Sequence, residues 1–319
     1  MALIKNDINF MGPKVRRVTG TLSATVIVFF LITIFVKGFQ LGLDFTAGTL
    51  IEVGYTQTVN PENVRQQLAD AGFEDASVMA FGSDRDLLVR LPVYETDAAQ
   101  MSDTASSLGT EVLAVLSANS ATPVELRRSE FVGPRVGSEL TEQAALAVLT
   151  AMIIILIYIA MRFQYKFGLS AIIAQLHDVI VVLGVISLFE ISFDLTTLAA
   201  LLAVIGYSLN DTIVVFDRVR ENLRIARTND IEKIVNRSLN QVLARSFVTS
   251  LTTLLALWAM FIVGGEAIYG FSLSLIVGVS VGFFTSLFIA CNFLILLGVN
   301  KEDVAVMTRE QADEVDSRP

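Results

Sequence analysis

Residues 267–300 read AIYGFSLSLIVGVSVGFFTSLFIACNFLILLGVN, 34 positions without one charged side chain. A run of roughly 18 or more such residues crosses the roughly 30 Å hydrocarbon core of a bilayer as a helix. The same feature recurs along the chain. Val18–Val36, Gln143–Met161 and Ser246–Gly265 are uncharged runs of 19, 19 and 20 residues. Phe167–Phe189 and Leu195–Phe216 hold one acid each, Asp178 and Asp211. Six spans follow. None of the six prolines falls inside one, so no span carries a proline kink. The composition agrees: 53% of the 319 residues are hydrophobic and 17% charged, against about 25% charged in soluble domains.

The basic residues set an expected topology. None of the 23 lies inside an uncharged run. Residues 1–17 carry Lys5, Lys14, Arg16 and Arg17; the 162–167 link carries Arg162 and Lys166; the 217–246 link carries seven; the tail carries three. The 190–194 and 264–270 links carry none. Short basic loops stay in the cytoplasm, which predicts both termini inside. The segment 37–138, with seven basic residues and 14 acids, is then outside, in the periplasm where there is an outer membrane. Lys14–Arg17 resembles a signal-peptide n-region, but the apolar stretch is long and Lys37-Gly38-Phe39 is no small-residue cleavage site. The first span is read as an uncleaved anchor. The chain therefore divides into a cytoplasmic tail (1–17), span one (18–36), the external domain (37–138), spans two to six (139–298) and an acidic cytoplasmic tail (299–319).

Within the external segment, Thr49–Thr56 alternates as a strand. Asn60-Pro61 is an N-cap with proline at the first helical position, opening a helix over Glu62–Ala71. Ala76–Phe81 and Leu87–Leu91 read as strands about the turn residues Gly82–Asp84. Ser102–Ala118 is helical in pattern, and Pro123–Val132 is a last strand. The order β-α-β-β-α-β predicts an α+β ferredoxin-like domain with one sheet face open. Glycines flank it: Gly42 and Gly48 before, Gly133 and Gly137 after. They read either as hinges or as turns at a membrane boundary.

Chemistry is sparse. One cysteine, Cys291, excludes an internal disulfide; one histidine, His177, excludes a multi-histidine zinc site. There is no Walker-type phosphate loop. No metal, cofactor or catalytic constellation is expected, and the chain is not expected to be an enzyme or to bind nucleic acid. The functional candidates are the charges inside the membrane, where a carboxylate costs at least about 2.5–3.5 kcal/mol. Span four runs inward, which places Asp211 about 7.5 Å to the cytoplasmic side of its midpoint. Arg245, at the start of the outward-running span five, is about 12 Å to the same side. The two can meet if these helices are neighbours. Arg245 alternatively snorkels to headgroups, and Asp211 alternatively makes a structural hydrogen bond. Asn210 adds a polar group, and Ser208, Thr212, Ser246 and Thr249 are candidates to line a wet path. His177 and Asp178 in span three rank second.

Ser274, Gly278, Gly282 and Ser286 recur every four residues in span six, a stripe that allows close helix packing, internal or with a partner. In the 217–246 link, Ile231, Ile234, Val235, Leu239, Val242 and Leu243 fall at helical spacing. They predict an amphipathic helix on the membrane surface, or a continuation of span five.

Residues 206–222, GYSLNDTIVVFDRVREN, resemble the fourth-span signature of the SecF family of protein-export membrane proteins. Gly42–Thr49 resembles that family's first-span exit motif, Phe131–Gly137 its entry to span two, and Ala244–Ser250 the start of its fifth span. The resemblance covers roughly residues 20–298 and implies half of a resistance–nodulation–division-type transporter. It implies a role in late-stage preprotein export driven by the proton motive force, with Asp211 and Arg245 at the proton-conducting positions. It also implies pairing with SecD, association with the SecYEG channel, with SecA on the cytoplasmic side and with YajC, in the inner membrane. The family usually has two adjacent glycines in the exit motif; Ala47 stands in place of the first, which argues against a need for positive φ there. Two rivals share the residues: half of a proton-driven lipid or small-molecule exporter, and a non-transporting scaffold of an export complex.

Overall fold

The computed structural model describes residues 8–301 and 303, apart from 82, 93–100, 121–122, 229 and 266–267. The first seven residues, most of the acidic tail and part of the 264–270 link lie outside the described residues. Six helices are long and apolar enough to span a bilayer. They are α1 (Pro13–Lys37), α5 (Pro134–Arg162), α6 (Tyr165–Leu188), α7 (Leu195–Ile225), α8 (Ile231–Val263) and a last span from Tyr269 to Leu296. That last span is α9 (Tyr269–Phe284), a π-helical turn over Thr285–Ile289, and α10 (Ala290–Leu296). A short helix, α2 (Leu43–Thr46), follows α1.

Two helices begin earlier than their uncharged runs suggest, α1 by five residues and α5 by nine, and for one reason. Pro13 and Pro134 occupy the first helical position, where the missing N–H costs nothing and the fixed φ favours the helix. Hydropathy marks the bilayer-facing run, not the point where the helix starts.

The domain inserted between the first two spans is a four-stranded antiparallel sheet, β1 (Gly48–Tyr55), β2 (Ser77–Phe81), β3 (Ser83–Leu91) and β4 (Val124–Val132), in the order β2-β3-β1-β4. With α3 (Pro61–Asp70) and α4 (Met101–Asn119) it is the ferredoxin-like arrangement. Asn60 caps α3, its side chain accepting from Glu62 N at 3.0 Å, worth typically about 1 kcal/mol. Ile51, Val53 and Tyr55 of β1 and Leu87, Val89 and Leu91 of β3 alternate onto the helix side, where Val64, Leu68, Val112 and Leu116 close the core. The opposite face is polar: Arg127 pairs with Asp86 at 2.8 Å and approaches Glu52 at 3.9 Å.

The 217–246 segment corrects one expectation. It is not a helix lying on the membrane surface. Span four continues to Ile225, and after a short turn α8 runs without interruption from Ile231 to Val263. The apolar stripe Ile234, Val235, Leu239, Val242 and Leu243 is buried against Phe216, Val219 and Leu223 of α7. A helix whose apolar face has a protein partner has none left for lipid. Asn222 ties the hairpin together, donating to Ser238 Oγ and Gln241 Oε1 at 2.8 Å each. Asp230 caps α8 through Lys233 N, and this exposed carboxyl is held below its usual range by hydrogen bonds from Lys233.

Candidate functional site

The middle of the bundle is made by α6, α7, α8 and the last span. Close approach of α7 and α9 comes from the small-residue stripe. A methyl group added at Gly278 would lie 2.1 Å from Val204, and one at Gly282 would lie 3.0 Å from Ser208 Cβ. Ser274 and Ser286 of the same stripe are buried. The stripe is thus an internal seam, a choice the sequence left open. Ser286 Oγ shares a hydrogen bond with Thr212 Oγ1 at 2.8 Å and donates to Ser208 O at 3.4 Å.

Asp211 is 4% exposed. It accepts from Ser250 Oγ of α8 at 3.3 Å. Its neighbours α7 and α8 pack side by side, as the depth arithmetic required. Arg245 is close enough for its charge to act on the Asp211 carboxylate. Nevertheless, no ion pair joins the two among the described residues; Arg245 is exposed on the outer surface of the helix pair. Asn210 is exposed as well, turned away from the carboxylate beside it by the 100° step of the helix. Of the proposed polar lining, Ser208, Thr212 and Ser246 are buried, and Thr249 is exposed and bonds back to Arg245 O at 3.0 Å. Ser246 Oγ has no hydrogen-bond partner among the described residues.

Asp178 is 0% exposed. It accepts a short hydrogen bond from Ser208 Oγ, one turn before Asp211 on α7. His177 Nδ1 lies 3.4 Å from Asp178 Oδ1 and 3.2 Å from Thr285 Oγ1 in the π-helical turn. Ser250 and Thr285 escaped the sequence reading. Ser250 was legible as the position four after Ser246, on the same helix face; the π-turn that brings Thr285 to His177 leaves no signal in residue spacing.

The glycine boundaries are sites of close approach. Gly42 N donates to Phe193 O at 2.8 Å, and a methyl group on Gly42 would lie 2.8 Å from Asp194 Cβ. Asp44 Oδ2 accepts from Leu195 N, the first residue of α7, at 2.9 Å. Arg90 of β3 donates to Leu41 O at 2.6 Å. Gly48 has φ +124° with Leu91 O 2.3 Å from its would-be methyl, and Gly137 packs on Ala47. Gly133 is the N-cap of α5 with an ordinary φ of −68°. The linker is therefore clasped to the N-terminal end of α7. Ala47 itself has φ +57°, which overturns the inference that alanine there means an ordinary backbone.

These features define a multi-pass membrane protein with an inserted α+β domain and carboxylates buried between its spans. The chain belongs to the SecD/SecF family of protein-export membrane proteins: the family's C-terminal model matches residues 112–300, and the model of its GG motif matches residues 32–59. It is 46% identical over 313 residues to "Protein translocase subunit SecF" of Pseudomonas aeruginosa, covering 98% of both chains. With the Vibrio alginolyticus protein of the same name it shares 41% identity over 316 residues, 99% of this chain and 98% of the other. The crystal structure of SecDF from Thermus thermophilus, described as a translocon-associated membrane protein, matches with TM-score 0.81 and 35% identity over 93% of this chain. This chain spans 39% of that longer one.

Proposed function

We propose that this chain acts as the SecF subunit of a protein translocase. Paired 1:1 with a SecD-type protein, it uses the proton motive force to assist late-stage export of preproteins through a SecYEG channel, with SecA on the cytoplasmic side and YajC as an accessory. In this reading the membrane is the inner membrane, both termini are cytoplasmic and the ferredoxin-like domain is periplasmic. The likeness to SecF and SecDF proteins supports the assignment.

One observation carries the mechanism: a buried carboxylate, Asp211, sits on the seam between α7 and α8 with the charge of Arg245 nearby but not engaged. Ionised, Asp211 attracts Arg245 inward. Protonated, it releases Arg245 and keeps Ser250. Each proton delivers about 2.3 kcal/mol per 100 mV, enough to bias a packing equilibrium whose states differ by a few kcal/mol. Movement of α7 has a route outward, because the first residue of that helix is bound by Asp44 in the linker to the external domain. Asn210 and Arg245, both exposed within spans, are costly against lipid and favour a partner's helices over them.

The test is export of a secretory protein into sealed inverted vesicles under an imposed proton gradient. Asp211→Asn keeps the side-chain shape and cannot ionise, so it removes the gradient-stimulated component while the complex still assembles. Arg245→Lys keeps the charge but loses the planar fork, and coupling falls. Undiminished gradient stimulation in Asp211→Asn sinks the mechanism.

A further inference from the structure

Asp178 is the most deeply buried acid of the bundle, and the mechanism above leaves it unused. Its surroundings are built from three spans. Ser208 of α7 donates to Oδ2, His177 of α6 lies with Nδ1 beside Oδ1, and Thr285 Oγ1 of the last span lies 3.2 Å from the same Nδ1. The last contact exists because the final span widens into a π-helical turn at Thr285–Ile289, a distortion that often accompanies functional sites. His177 retains 10% exposure. It stands at the wall of a cavity of about 180 Å³ between α1, α6 and the last span, lined mainly by apolar side chains such as Leu22, Val181 and Phe288, with Thr19, Ser23 and Thr285 among them.

We propose that Asp178 is a second proton-holding carboxylate that exchanges its proton with His177 and is coupled to Asp211 through Ser208. The proposal rests on the proton-driven reading given above. Ser208 precedes Asp211 by one turn, about 4.5 Å along the axis. Because α7 runs inward in that reading, Asp178 lies on the outer side of Asp211, and the cavity at His177, beside Thr19 and Ser23 in the first half of α1, lies toward the inner side. The step involves a proton alone. Ionised Asp178 accepts the Ser208 O–H. When the imidazolium of His177 gives its Nδ1 proton to Asp178 Oδ1 and returns to neutral imidazole, the carboxyl loses its charge, Oδ2 becomes a weaker acceptor, and the Ser208 hydroxyl is held less firmly. That hydroxyl sits in the α7–α9 seam, 3.1 Å from where a methyl on Gly282 would be. The backbone oxygen of Ser208 accepts from Ser286, which also holds Thr212 beside Asp211. Protonation of Asp178 is thus registered at the turn that carries Asp211.

The other titratable groups around this site are few. Asp211 is on α7. Cys291 of α10 is buried and bonded to Ser286 O. The charged residues of α1 are at its ends, where Arg16 pairs with Glu232 and Lys37 with Glu190. Arg162 at the end of α5 pairs with Asp217, and Arg245 of α8 is exposed.

The experiment measures gradient-stimulated export in the same vesicles as a function of external pH, for the full-length chain in its assembled complex. Asp178→Asn is expected to remove most of the stimulation. His177→Gln and Ser208→Ala are expected to retain part of it with the pH midpoint displaced by about one unit, a tenfold change in proton affinity. Asp178→Glu, which restores an ionisable group, is expected to recover part of the activity that Asp178→Asn loses. Parental stimulation and an unmoved midpoint in His177→Gln and Ser208→Ala overturn the proposal, whether or not Asp178→Asn assembles. So does an inactive but assembled Asp178→Asn that Asp178→Glu fails to rescue together with unmoved midpoints, since that marks a purely structural hydrogen bond. The two readings fail separately. If Asp211→Asn keeps its stimulation, the proton-driven function falls; if Asp211→Asn loses it and the Asp178 set behaves like the parent, only the second site falls.

Discussion

Ala47 takes φ +57° and ψ 170° at the end of α2, a region that is essentially the preserve of glycine and costs about 1–3 kcal/mol for other residues. The surroundings force it. Ala47 N donates to Leu43 O, Gly137 packs against it, and Gly48 must follow at φ +124° so that β1 can pass Leu91 O. Ala47→Gly relieves the strain and is expected to raise stability by about 1 kcal/mol, the gain being partly offset by the greater freedom of glycine in the unfolded chain. Urea unfolding of the purified protein, followed by circular dichroism, measures it; a destabilised variant contradicts the strain. Tyr55 offers a second residue-level test. Its hydroxyl is buried without a hydrogen-bond partner among the described residues, and burial pushes its pKa up to about 12 from 10.0. Below pH 10 the group is neutral folded and unfolded alike. Between 10 and about 12 only the unfolded chain ionises, so stability falls as pH rises through that window. Tyr55→Phe is expected to lose this fall and to be no less stable at neutral pH, because the unpaired hydroxyl is removed with its desolvation penalty. Unfolding curves at about pH 8 and about pH 11 compare the two.

Among the elements, the α7–α9 seam is the most sharply defined. A Cβ on Gly278 meets both methyl groups of Val204, and overpacking of this kind costs about 1–3 kcal/mol. Gly278→Ala is expected to lower the melting temperature of the detergent-solubilised protein, and Val204→Ala in the same chain to restore much of it. Absence of rescue would place the damage elsewhere. The four-residue recurrence of small residues was plain in the sequence; which helix fills the groove was not, because period alone carries no information about the partner. The same limit explains the 217–246 segment. Its apolar stripe was legible, but lipid and protein are equally good covers for such a face, and only the antiparallel return of α8 along α7 settled the matter.

At the scale of the whole molecule, the external domain is joined to the bundle by more than its two chain connections. Leu41 bridges to Phe193, Phe193 N donates to Gln40 O at 2.7 Å, and Asp44 holds the start of α7. If export requires the domain to move relative to the spans, fixing this clasp stops it. Leu41→Cys with Phe193→Cys is expected to crosslink under oxidant, to block gradient-driven export, and to recover on reduction; Cys291, wholly buried, does not interfere. Full export by the crosslinked protein means the domain moves elsewhere or not at all. Gly38, with φ +69° and open space around it, is then the better pivot, and it was passed over because glycine content marks permission to bend, not where bending occurs.

The amino-acid sequence by itself determined the six spans, the inserted β-α-β-β-α-β domain and the two intramembrane acids. Those follow from local causes: the length of uncharged runs against the thickness of the bilayer, period-two and period-3.6 patterns, and the cost of a buried charge. Depth along two helices even placed Asp211 and Arg245 at similar levels, because rise per residue is fixed. What only the tertiary structure decided is azimuth and contact. Asp211 turns to Ser250 while Asn210 and Arg245 face outward, and Asp178 is joined to Ser208 and, through His177, to a π-helical turn. Rotation of a helix about its axis is set by the packing of its neighbours, and no spacing within one helix encodes which side chain will stand across from it.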